Sequence, residues 1–199
     1  RAELGNFHVL GYLGTKTQDH FEHFYGIADL LRQTSLDPAA GSGLLPGFEE
    51  APFGEQALRA TIEPGVHLHI NAPGPGRFDP DRPTRLILYA LPNGNTIEQT
   101  FGKKLAEGVD WHFGIQHIGA QTRQLRELIT DENIVVAYLE AEGRSWPAWR
   151  RDEEDKPERA REIVEAVLGR LPSADRVTLR LSSHSGGGSL LFGYINAFD

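Results

Sequence analysis

The chain has 199 residues, 39% of them hydrophobic, which is enough to bury one sizeable core. Its formal net charge of -8 argues against nucleic acid or an anionic membrane as partner, since both call for a positive field against phosphate. There is no cysteine, so disulfides and thiolate metal sites are excluded, and no run approaches the ~20 apolar residues of a membrane span. A soluble chain is expected.

The first elements are helical and then irregular. Residues 19–33, "DHFEHFYGIADLLRQ", set Phe21, Phe24, Ile27, Ala28 and Leu31 on one helical stripe, and "DPAAGSGLLPGFEEAPFG" follows with turn residues and little periodicity. Residues 1–57 are therefore read as a preamble and 58–199 as the core. "LRATIEPGVHLHIN" predicts two strands around Pro64 and Gly65, the pair that a type II turn prefers, and "APGPGRFDPDRPT" is a surface connection.

From Arg85 strands and helices alternate. "RLILYAL" is a near-continuous apolar strand, and "PNGN" leads into a helix opened by a Thr96–Gln99 capping box. "AQTRQLRELIT" is a second helix, "NIVVAYLE" a second buried strand and "PERAREIVEAVLGRL" a third helix. "RVTLRLS" is the next strand; Thr178 and Arg180 alternate with Val177, Leu179 and Leu181, a half-exposed pattern. The expected fold class is α/β, with a mostly parallel sheet covered by helices on both faces.

After that strand comes "LSSHSGGGSLLFGY". A serine between a strand end and a glycine-rich helix start is lifted above the sheet by the sharp turn, and the helix N-terminus offers unpaired N–H groups to a developing oxyanion. Ser183, Gly186 and Gly187 are the small neighbours that such a turn requires. Two phosphate-binding alternatives fail, because neither G-x-x-x-x-G-K-[ST] nor G-x-G-x-x-G occurs. A structural glycine turn with an idle Ser185 is the remaining alternative.

"SSHSGGG" resembles the nucleophile elbow of the α/β-hydrolase superfamily, with Ser183 in place of the first glycine of G-x-S-x-G. The resemblance runs from about residue 58 to the end, and hairpin, strand, strand and elbow follow in the superfamily's order. It implies a serine hydrolase that cleaves an ester or amide through an acyl-enzyme on Ser185, without a cofactor. The oxyanion would be held by the Gly186 N–H and by one from the loop Asn93, Gly94, Asn95, although the usual His-Gly is missing there. The substrate would be a small-molecule ester, amide or carbohydrate-linked compound. The other reading is a catalytically silent module of the same fold that binds a small molecule or carbohydrate.

The superfamily places its acid and histidine after the nucleophile, yet no histidine follows His184 and only Asp199 is acidic. The acid and base are therefore expected in a C-terminal remainder of the same protein. Two further features point to an incomplete chain. "SLLFGYINAFD" carries Leu190, Leu191, Tyr194, Ile195 and Phe198 at helical spacing, an apolar helix in need of cover, and methionine is absent where roughly four would be average. His184, next to the serine, is read as a packing or supporting residue, and His112 and His117 as surface or core residues. His67 and His69 share a strand face but no third ligand accompanies them, so no metal is expected. Arg144, Trp146 and Trp149, after the second buried strand, are candidates for a substrate wall or, alternatively, caps on the sheet.

Overall fold

Alternating side chains between residues 55 and 73 leave one strand face to be buried, and a short hairpin meets that demand locally. A computed structural model describes residues 43–154, 156–172 and 174–197. The helical stripe expected over 19–33, and Phe198, lie outside the described residues. The hairpin consists of β2 (Glu55–Ile62) and β3 (Val66–Pro73), with Ile62 opposite Val66. Gly65 has φ +59°, the positive value that the second central position of the expected turn asks of glycine, and the Glu63–Pro64 peptide is cis. A short strand, β1 (Glu49–Ala51), pairs with β2, and Leu45 and Phe48 are buried against the core. The sheet thus begins before residue 58, inside what the sequence presented as preamble.

Three more strands complete the sheet: β4 (Thr84–Ala90), β5 (Asn133–Ala141) and β6 (Val177–Ser183). The order is β1-β2-β3-β5-β4-β6. The expectation of a mostly parallel sheet is corrected here, because the sheet is mixed. β1/β2, β2/β3 and β3/β5 are antiparallel, and only β4/β5 and β4/β6 are parallel. For β1/β2 and β2/β3 the cause is the length of the connections, since parallel neighbours need a crossover of a dozen residues or more and these strands have only tight turns between them.

Among the described residues, five α-helices cover the sheet, on both faces. α1 (Ile97–Phe101) and α2 (Ile118–Leu128) lie between β4 and β5 in sequence. α3 (Trp146–Asp152) and α4 (Pro157–Leu168) lie between β5 and β6, and α5 (Gly188–Asn196) follows β6. Ile97, Phe101 and Ile118 pack with Tyr89, Leu91, Val136 and Tyr138 on one face. Trp146, Trp149, Ile163, Val164, Val167 and Leu190 pack with Leu86, Leu88, Val135, Ala137 and Leu139 on the other. Full burial of each such aliphatic side chain contributes about 1.5–3 kcal/mol. No helix among the described residues is long and apolar enough to cross a membrane.

Local chemistry explains the helix starts. Thr96 accepts from the Gln99 N–H while the Gln99 side chain accepts from the Thr96 N–H, the reciprocal box read from the sequence. α3 begins at Ser145, whose hydroxyl accepts from the Ala148 N–H, and Pro147 in its first turn has no N–H to leave unpaired. Residues 146–152 are thus helix, an element not assigned from the sequence. Their indoles answer a further expectation.

Trp146 and Trp149 are 1% and 6% exposed, lie edge to face at 5.5 Å, and the Trp149 Nε1–H donates to the Pro64 carbonyl at 2.7 Å. They cap the sheet and do not form a substrate wall. Trp146 opens the helix and Trp149 lies three residues on, so both fall on one face, which is turned inward.

Candidate functional site

The two crossovers decide where a site can form. From β4 the chain passes over one face to β5, and from β5 it passes over the other face to β6, which lies on the opposite side of β4. At the carboxyl ends of β4 and β6, neighbours in register at Ala90 and Ser183, the outgoing chains therefore diverge to opposite faces. That is a topological switch point, where open α/β sheets leave a crevice.

The elbow stands on one side of this crevice. His184 is extended, with φ -128° and ψ 139°, and Ser185 then turns into the left-handed region at φ +51° before a 3-10 turn, Ser185–Gly187, runs into α5. A side chain with a Cβ resists this conformation by about 1–2 kcal/mol, so the surroundings must impose it. They do so through close approach. A Cβ on Gly187 would overlap the Ala90 carbonyl oxygen and come within 2.8 Å of that of Leu91, which leaves room for glycine alone beneath the turn. Ser185 itself is exposed.

The other wall is the loop after β4. A Cβ on Gly186 would overlap the side-chain amide of Asn93, so that amide lies directly against the Gly186 backbone. Gly186 belongs to the first turn of the helical run, where N–H groups have no intrahelical acceptor. The three candidates on this loop differ. Gly94 is corrected as a donor, because its N–H is given to the Arg144 carbonyl at 2.9 Å. Asn95 is buried and its side-chain nitrogen has no partner among the described residues. Asn93, exposed and against Gly186, is the residue that the crevice brings to the elbow. Arg144 joins the site through its backbone and its side chain is exposed.

The histidines fall in separate places. His184 meets Gln116, whose Nε2 lies 2.9 Å from His184 Nδ1. With the amide nitrogen as donor, Nδ1 accepts, so this ring nitrogen is engaged with Gln116. Gln116 was not singled out by sequence reasoning, since 68 residues separate the pair. His112 pairs with Asp110 at 2.6 Å and stacks on Trp111 at 3.9 Å. Bonds from the backbone N–H and then the ring of His112 hold the Asp110 carboxyl below its ordinary pKa. His117 is buried at φ +51°, and burial lowers its pKa. Among the described residues, no side chain hydrogen-bonds to the Ser185 hydroxyl. No group of three or more histidines and carboxylates among them is arranged to hold a metal.

His69 lies 8% exposed on β3, edge-on to Tyr138 at 5.7 Å. Burial, aided by the charge of Arg59 and opposed by Glu98, lowers its pKa from 6.5 to about 4. The unfolded chain thus binds a proton between pH 6.5 and 4 that the folded chain refuses, so stability present above pH 6.5 is lost as pH falls toward 4. The loss is on the order of 3 kcal/mol at most. Urea titrations from pH 7 to 4 should show it, and His69→Phe should flatten the curve in that window. An unchanged slope in the variant would assign the acid sensitivity to other groups.

No family model, curated protein or solved structure matches this chain.

Proposed function

We propose that the chain carries the nucleophile and oxyanion site of a serine hydrolase of the α/β-hydrolase kind, acting on a small-molecule ester or amide. The observation that carries this reading is Ser185 at φ +51°, exposed above close-packed glycine at a topological switch point. A strained, exposed serine at a helix start is what a nucleophile elbow requires, and no packing or capping role for its hydroxyl competes with that use.

In the proposed step the Ser185 Oγ attacks the carbonyl carbon while its proton passes to a base. The carbonyl oxygen becomes an oxyanion that accepts from the Gly186 N–H and from Asn93. Collapse breaks the bond to the alcohol or amine, which leaves with the proton, and water releases the acyl group by the same route. The base and its acid are taken from outside the described residues, since His184 is turned to Gln116. Each such oxyanion donor contributes about 2.7–4 kcal/mol to the transition state.

A fluorophosphonate probe applied to the intact gene product tests the reading. Peptide mapping should find the phosphonyl group on Ser185 alone. Binding of esters without labelling or turnover would replace the hydrolase by a silent binding module.

A further inference from the structure

A cavity of about 490 Å³ opens on the sheet face that carries α1, over β1, β2 and β3. Its walls include Phe53, Ile97, Phe101 and Phe113, and β3 contributes His69 and Asn71. None of its lining residues belongs to the elbow or to the loop Asn93–Asn95. Across the sheet, His69 aligns with Tyr138, Tyr89 and Ser182 in turn. Three strand spacings place it roughly 14 Å from the elbow strand.

Two polar atoms at this cavity lack partners among the described residues. Asn71 is 2% exposed, and its Nδ2 donates to Glu55 Oε2 at 3.0 Å, which fixes the amide and leaves Oδ1 buried without a hydrogen bond. His69 Nε2, on the same strand face, is also buried and unpartnered. A buried acceptor without a donor is destabilising, a cost that a donating ligand removes.

The buried charge of Glu55, by contrast, is matched within the protein, while Glu49, Glu50, Arg59 and Glu98 of the lining are exposed. Glu55 faces Arg126 at 2.6 Å and Arg123 at 3.5 Å. The Arg123 guanidinium lies 4.2 Å from the Phe53 ring centre, and Lys103 Nζ lies 4.1 Å from that of Phe113. An ionic ligand seated beside Asn71 and Glu55 would have to disturb one of these pairs, whereas a neutral one leaves them intact.

We propose that this cavity is a binding site, separate from Ser185, for a neutral aromatic molecule of one or two rings that carries an O–H or N–H donor. The phenylalanines receive the ring and the Asn71 Oδ1 accepts its hydrogen bond. The volume lies within the range of small-molecule pockets.

Titration calorimetry on the whole protein with 2-naphthol, and with 2-methoxynaphthalene as the analogue without a donor, tests this. Saturable 1:1 binding of 2-naphthol is expected, with the methoxy analogue weaker by about tenfold or more. Asn71→Leu should bring 2-naphthol down to the level of the analogue. Phe53→Ala, a change at a half-exposed wall that does not endanger folding, should weaken both ligands by about fivefold. Ser185→Ala should bind both as the native protein does, which separates this site from the proposed hydrolase. Equal affinities for the two ligands, no saturable binding, or indifference to Phe53→Ala would overturn the proposal.

Discussion

If the proposed function holds, Ser185→Ala in the intact protein should lower kcat by about 10⁶ and leave folding stability unchanged, because the hydroxyl would attack substrate and bonds no other side chain among the described residues. Ser185→Gly should lose the same activity yet be more stable than Ser185→Ala by about 1 kcal/mol. The difference arises from the backbone. At φ +51° alanine keeps the Cβ that crowds the following carbonyl, whereas glycine reaches this region without that penalty. Urea midpoints for the three proteins measure the strain directly. If alanine and glycine were equally stable, the left-handed turn would not be imposed by its surroundings. If Ser185→Ala kept its activity, the nucleophile would lie elsewhere.

Much of this site could be read in the sequence because its signals are local. Thr96 and Gln99 are three residues apart, the apolar run of β4 is continuous, and strand, serine and glycines occupy one stretch of 14 residues. The half-exposed reading of β6 also agrees with the structure, since Thr178 and Arg180 are exposed and β6 pairs only with β4 among the described residues. What escaped was nonlocal. The antiparallel pairing of β3 with β5 joins residues separated by about 70 positions, and nothing in either strand announces its partner.

The same holds for Gln116 on His184 and for Arg126 on Glu55, pairs that only the fold brings together. Trp146 and Trp149 were ambiguous for another reason. An aromatic pair serves a cleft or a core equally well by composition, and Ser145 with Pro147 was the local sign of a helix that would bury it. The cavity at His69 and Asn71 had no sequence signature at all, since an unpartnered amide oxygen is a property of the packed state.

Gly186→Ala should lower kcat/KM by about 10² to 10³ while costing less than about 1 kcal/mol of stability. A methyl group at this position falls on the Asn93 amide, which is exposed and free to swing into solvent, so the fold yields at small cost. Activity should not yield as easily, because the displaced amide would form the second wall of the proposed oxyanion site. Asn93→Ala should cause a loss of the same size, and the double variant should be little worse than either single one, since both changes remove one interaction. Gly187→Ala is the contrasting change. Its methyl group meets the backbone carbonyls of Ala90 and Leu91, which cannot swing away, so it should cost more than about 4 kcal/mol or prevent folding. Ester hydrolysis and urea titration on the four variants separate these effects. Losses that add in the Gly186→Ala, Asn93→Ala double variant would mean that the two residues act independently, and an unchanged kcat/KM in Gly186→Ala would remove Asn93 from the oxyanion site.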